Sequence, residues 1–246
     1  MANTDFLFES EIDQGVLVRV PGGPFLAGGP EHFEGDCPPF WKTLPDFFIG
    51  LHPVTNAQYK RFVDGTRHDP PSVPTSGLTV WSGRDFPEEL ADHPVVNVTW
   101  QDALDYCEWA GVRLPTELEW EKAARGEDGR TYPWGCEWHD DRCRNDINRR
   151  IDTTASVWHY TPGTSQWGCY QMSGNVWEWC ADWFHPDSYI RYARGQQSAP
   201  KTGRERVVRG GSWFNVSEET FRCTYRFHCR PTETDTHYGF RVARDA

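Results

Sequence analysis

The chain has 246 residues and a formal charge of −11, and it is 15% aromatic with 13 Trp. That length can bury a sizeable core, the aromatic content excludes a disordered chain, and the acidic balance argues against a nucleic-acid binder, which presents a basic face. No apolar run is long enough to cross a bilayer, and the acidic start MANTDFLFESEIDQG lacks the basic and apolar parts of a secretion signal, so a cytoplasmic protein with no membrane partner is expected.

Residues 1–15 read as an N-terminal extension and 16–246 as one domain, since no repeat, low-complexity tract or Gly/Ser linker divides the chain. Residues 16–29 (VLVRVPGGPFLAGG) alternate and then break at Pro-Gly-Gly, which predicts strand, turn and strand. A short apolar run follows at 47–52. Thr55 and Gln58 form a capping-box signature for a helix over 56–65, with Tyr59, Phe62 and Val63 as its apolar face. Residues 68–84 are rich in Pro, Ser, Thr and Gly and read as a loop.

Thr99 is a predicted N-cap for a helix that Gly111 ends, with Trp100, Ala103, Leu104, Cys107 and Ala110 on one face. Thr116 and Glu119 make a second capping box, opening a helix through Arg125 with Gly126 as its stop. Residues 136–168 show no period and read as loop. Short strand signals follow at 176–179, 206–208, 224–227 and 239–242. Eight cysteines in a reducing compartment are expected to stay free thiols. The arginines clustered near the C-terminus are expected to brace loops through carboxylates and carbonyls.

Several phrases carry more than local structure. They are PGGPFLAGG at Pro21, VTNAQYKRFV at Val54, HPVVNVTWQDALDYCEW at His93, RLPTELEWEKAARG at Arg113, YPWG at Tyr132, GCYQMSGNVWEW at Gly168, RVVRGGSW at Arg206 and YGFRVAR at Tyr238. In this order they resemble the formylglycine-generating enzyme (sulfatase-modifying factor) family over nearly the whole chain. The resemblance implies an α+β fold: a single loop-rich C-type-lectin-like domain with little regular secondary structure. It also implies a choice of activities, among them copper-dependent oxidation of a sulfatase cysteine, iron-dependent sulfoxide synthesis and ligand display.

The copper enzymes of that family hold Cu(I) with two cysteines, the first lying three positions after the Ser of GGS and the second after four more residues. Here those positions are Asn215 and Thr220, and the next cysteines, Cys223 and Cys229, have the wrong place and spacing. Cu(I) favours sulfur, so no copper and no catalytic residue of that kind are expected. The iron-dependent synthases use a His-x3-His-x-Glu motif on a further domain, and this chain has no such motif.

The resemblance also implies structural calcium. By position it assigns Gln171, Gly174, Val176 and Glu178 to one site, and Asn145 and Asp146, with Asp152, to another. Calcium takes six to eight hard oxygens, and this set is incomplete. Cys136, His139 and Cys143 offer a three-ligand zinc fragment whose fourth ligand is not evident.

The functional expectation is a non-catalytic module that binds a protein or peptide and not nucleic acid, as a diversified display protein or as an adaptor of a signalling or defence system. Its candidate ligand-binding residues are Trp213, Phe214, Asn215, Tyr225, Phe227, His228, Arg230, His237 and Tyr238. Aromatic and Arg side chains anchor interfaces, and the same aromatics also fill cores. The alternative is an oxygen-dependent oxidoreductase with an altered active site, in which Asn215, Ser217, Glu218, Glu219 and His228 supply polar groups and Cys223 or Cys229 a thiol.

Overall fold

The computed structural model describes residues 6–29, 38–71, 79–149, 153–196 and 198–246. Strand β1 (Leu7–Glu9) pairs antiparallel with β2 (Val16–Val20), which carries Leu17, Val18 and Val20 into the core. The turn at Pro21-Gly22 leads to β3 (Gly23–Ala27), which pairs with β4 (Phe40–Leu44) in a separate two-stranded sheet. β5 (Phe47–Gly50) returns beside β2 in the register Val18↔Ile49. Residues 7–15, expected to lie outside the domain, are therefore part of it. Besides β1, they supply a buried Asp13 that accepts hydrogen bonds from Gly15 N and, at 2.5 Å, from the Tyr106 hydroxyl.

Three helices follow: α1 (Asn56–Thr66), α2 (Trp100–Ala110) and α3 (Glu117–Arg125). Each opens on a threonine cap with a reciprocal partner, Gln58, Asp102 and Glu119 respectively, so that free amides of the first turn are satisfied. Gly111 ends α2 at φ 69°, a left-handed conformation that glycine adopts without strain. Tyr59, Phe62 and Val63 of α1 are buried as expected, whereas on α2 Trp100 and Leu104 are only half-buried and Tyr106 joins the core. All nine residues of α3 are buried, its charged side chains included.

The second half of the chain builds a four-stranded sheet around β6 (Trp177–Trp183). β6 pairs antiparallel with β7 (Arg206–Arg209) and parallel with β9 (Tyr238–Gly239), and β8 (Phe227–Cys229) lies outside β7. Helix α4 (Ser188–Ala193) bridges β6 and β7 in sequence. β10 (Ala243–Asp245) closes the first sheet against β5.

Two strand expectations shift. The segment 224–227 enters the sheet only at Phe227, because the carbonyls of Cys223, Thr224 and Tyr225 turn inward to accept from Arg209 at 2.7, 3.0 and 2.6 Å. Of the run 239–242 only Gly239 lies in a strand, and 240–242 link β9 to β10, with the Phe240 and Val242 carbonyls accepting from Val54 N and Gly50 N.

The core follows the aromatic content. One cluster joins α1 and α2 to Trp177, Trp179, Tyr238 and Phe240, and another packs Trp120, Ala123 and Ala124 of α3 against Val20, Phe47 and Ile49. The C-terminal arginines act as braces: Arg226 pairs with Glu117 at 2.5 Å, Arg209 with Glu121 at 2.8 Å and Arg241 with Glu178 at 2.6 Å. Among the described residues no helix is long and apolar enough to cross a membrane.

Candidate functional site

β7 delivers the chain into Gly210 and Gly211, both at positive φ (100° and 74°). A Cβ on Gly211 would stand 2.8 Å from the Phe221 ring, so the turn needs glycine for space as well as for conformation. Beyond it, Ser212 N and Ser212 Oγ both donate to Asn215 Oδ1 at 2.9 Å. The Asn215 carbonyl accepts from Asp146 N at 3.1 Å, which fastens this loop to the 145–149 loop. Asn215 thus closes a turn, and the Thr220 hydroxyl donates to the Ser217 carbonyl at 2.8 Å.

The nearby thiols are poor ligands as they stand. Burial pushes Cys223 up to about 12 and Cys229 up to about 11, and a thiol must deprotonate to bind a soft metal. Cys229 also contacts the Tyr238 hydroxyl at 2.8 Å.

The nine candidate ligand-binding residues fall into two sets. Trp213, Phe214, His237 and Tyr238 form one chain of rings, with successive centroids 5.6, 6.0 and 4.3 Å apart. Within it Trp213 is buried, with its indole N–H donating to the Thr236 carbonyl and Arg149 stacked on its ring, and Tyr238 is buried against Trp179. His237 is half-buried, and Phe214 is 59% exposed. Tyr225 and Phe227 instead are half-buried and pack on Trp177 at 6.1 and 5.2 Å, against the edge of the core. His228 stacks on Phe184 at 4.0 Å with Nδ1 2.9 Å from Glu205, and Arg230 is exposed. Trp213, Tyr225, Phe227 and Tyr238 are thus chiefly packing residues, because their rings fill the space between strands.

Two exposed apolar residues join Phe214 that the sequence reading did not single out. Val216 is 63% exposed and Ile147 is 60% exposed, and the Asp146–Asn215 hydrogen bond sets their two loops side by side. The signal was present in the sequence only as single apolar residues in polar loops.

The calcium assignments divide on inspection of the donors. Glu178, assigned as the charged ligand, is fully buried and is instead the counterion of Arg241; its Oε2 also accepts from Trp120 Nε1 at 2.7 Å. The Gly174 carbonyl accepts from Val176 N, and Val176 itself is buried in the turn. Asn145 Oδ1 accepts from the amides of Ile147 and Asn148, and Asp146 pairs with Arg149 at 2.5 Å. Of the assigned side-chain donors among the described residues, Gln171 Oε1 alone is a buried oxygen with no hydrogen-bond partner, its Nε2 being fixed by the Ser156 and His159 carbonyls. Asp152 lies outside the described residues. The donors as arranged do not fit a calcium shell. Chelation by EDTA is therefore expected to leave the melting temperature unchanged within about 1 °C, and a fall reversed by calcium would overturn this.

For zinc, Cys143 is buried with its thiol pushed up to about 12 by burial, while Cys136 and His139 are exposed. Among the described residues no group of three His, Cys, Asp or Glu side chains is placed to hold a metal ion.

Short strands, capped helices and a terminal Gly-Gly-Ser loop held by buried arginine pairs define a C-type-lectin-like domain of the formylglycine-generating type. The family described as "Sulfatase-modifying factor enzyme 1-like domain" matches residues 7–246, and the chain belongs to that family. It is 34% identical to the formylglycine-generating enzyme of Thermomonospora curvata, over 96% of this chain and 95% of that one. It is 38% identical to the serine/threonine-protein kinase pkn1 of Chlamydia pneumoniae, over 93% of this chain but only 38% of the kinase. The chain thus spans less than half the length of that relative. In structure it is similar to PvdO from Pseudomonas aeruginosa, with a TM-score of 0.82 and 23% identity over 98% of both chains.

Proposed function

We propose that the chain is a non-catalytic binding module that takes a protein or peptide on the face formed by Phe214, Val216 and Ile147. The observation that carries this reading is the exposure of those three apolar side chains, 59%, 63% and 60%, on adjoining loops. Exposed apolar groups gathered in one place mark interaction surfaces more often than single ones do. The polar groups around them are occupied: Asn215 by Ser212, Asp146 by Arg149 and Thr220 by Ser217. Such a loop offers shape and apolar area more than reacting groups. Likeness to part of a protein kinase supports a role as an interaction domain in a signalling or defence system. The same reading puts the module in the cytoplasm, where buried free thiols such as Cys143, Cys180 and Cys223 stay reduced.

The alternative, an oxygen-dependent oxidoreductase, is favoured by the 34% identity to a formylglycine-generating enzyme over nearly both chains. One experiment separates them. Partners are captured from native lysate in air and under nitrogen, with wild type and with a Phe214→Ser, Val216→Ser, Ile147→Ser variant, and intact masses are recorded. The expected result is a partner recovered unmodified by wild type in both atmospheres and lost with the variant. The substitutions are on the surface, so stability should change by no more than about 0.5 kcal/mol each. Equal capture by the variant removes the proposed face, and an oxygen-dependent mass change in the partner reinstates the oxidoreductase.

A further inference from the structure

The charges beside the Phe214, Val216 and Ile147 face narrow what it can hold. Asp140 and Asp141 are exposed on the loop that carries Ile147. The Asp140 carbonyl accepts from Asn145 Nδ2 at 2.8 Å and from Asn148 Nδ2 at 2.6 Å, so residues on both sides of Ile147 are tied to it. On the second loop Glu218 is exposed just beyond Val216, where the short 3-10 turn Glu218–Phe221 begins. At Phe214, whose ring stacks on His237 at 6.0 Å, Asp235 stands 3.6 Å from His237 Nδ1.

The arginines of the same loops are largely committed. Arg149 pairs with Asp146 at 2.5 Å and lies over the Trp213 ring. Arg144 is buried, with its guanidinium on the carbonyls of Asn148, Arg149 and Thr153. That leaves Arg142, half-buried beside Asp141, against Asp140, Asp141 and Glu218, none of which has an ion-pair partner among the described residues.

Exposed apolar side chains with free carboxylates beside them select an occupant by charge as well as by apolar area. A second copy of this chain, itself at −11, would set the same carboxylates against each other across a two-fold contact. An anionic bilayer would be repelled, since membrane surfaces of that kind attract basic segments. Resting on the binding-module reading, we infer that the partner is a basic amphipathic peptide segment. Its apolar side chains cover Phe214, Val216 and Ile147, and its flanking Lys or Arg meet Asp140, Asp141 and Glu218.

The test selects peptides from a random dodecapeptide display library on the full chain, after depletion on the Phe214→Ser, Val216→Ser, Ile147→Ser variant. The retained sequences are expected to combine apolar residues with Lys or Arg and to carry net positive charge. For the tightest of them, an Asp140→Asn, Asp141→Asn, Glu218→Gln variant should bind about tenfold more weakly, and raising NaCl about tenfold from about 50 mM should weaken wild type by a similar factor. These three side chains are exposed, so their substitution leaves the fold in place. Retained sequences that are neutral or acidic, or binding unchanged by the charge variant, overturn the inference and leave the face standing as a binding site. If no retained sequence depends on the three apolar residues, the face itself is removed and the inference falls with it. Binding to phosphatidylserine vesicles, or self-association of the chain, that is lost with the Phe214→Ser, Val216→Ser, Ile147→Ser variant would also overturn it, in favour of a membrane or a second copy.

Discussion

Replacing Arg241 with leucine is expected to lower the free energy of unfolding by about 3–5 kcal/mol, the cost of leaving a buried carboxylate without its counterion. Arg241 and Glu178 are both fully buried, and they meet through two parallel bonds of 2.6 and 2.7 Å. The remaining guanidinium hydrogens reach the carbonyls of Gly50 at 3.0 Å and Tyr170 at 2.9 Å. Glu178 in turn accepts from Trp120 on α3. One guanidinium thus joins β5, β6 and the chain leading to β10, with α3 attached through the carboxylate.

Lysine should not rescue the position, because a single ammonium cannot form the paired bonds and reach both carbonyls. Arg241→Leu combined with Glu178→Leu should recover part of the loss, since removing both charges also removes their desolvation cost. Urea unfolding at neutral pH measures each variant. A loss below about 1 kcal/mol for Arg241→Leu would show that the pair is not a principal brace.

That brace shows how far the sequence could be read. Its arginine was legible as a structural residue, since a forked donor near a loop-rich terminus seeks carbonyls and carboxylates. Its carboxylate was not legible as an arginine's partner, because Glu178 in a strand looks the same whether it faces an ion or an arginine 63 residues away. The helices were legible because their signals are local: Thr55 with Gln58 and Thr116 with Glu119 satisfy amides within one turn. Strand limits were less so. β8 starts late because Arg209 draws three carbonyls of the preceding turn toward itself, a long-range effect absent from any window of sequence.

β1 and α4 were missed for related reasons. β1 is three residues long and has little pattern of its own, and α4 depends on Tyr189 and Tyr192 meeting Phe40 of β4. At the candidate face, Phe214 was found by its place after GGSW. Val216 and Ile147 were not, since it is the folded contact between Asp146 and Asn215 that sets their loops side by side.

The second large effect concerns pH and lies on α3's first turn. Asp182, near the end of β6, accepts a hydrogen bond from Glu117 N at 2.6 Å. Burial first, and then the negative charge of Glu117, push its carboxyl up from 3.8 to about 6, against the opposing effects of that hydrogen bond and of Arg226. Glu119 also faces it and acts in the same direction as Glu117. The folded protein therefore binds this proton more tightly than the unfolded chain does. The associated stability is fully present below about pH 4, the unfolded value, and is lost as the pH rises through about 6.

A shift of this size corresponds to about 2–3 kcal/mol between the two ends of that window. Asp182→Asn keeps an oxygen to accept from Glu117 N but carries no charge at any pH. The variant should be more stable than wild type by about 2 kcal/mol at pH 8, and the difference should shrink steadily as the pH falls toward 4. Denaturant unfolding of both proteins at half-unit steps across this range gives the difference directly. A gap that stays constant with pH would mean that Asp182 does not titrate differently on folding. A variant less stable than wild type at pH 8 would mean that its charge is stabilising, and that Arg226, already paired with Glu117, serves Asp182 as a counterion as well.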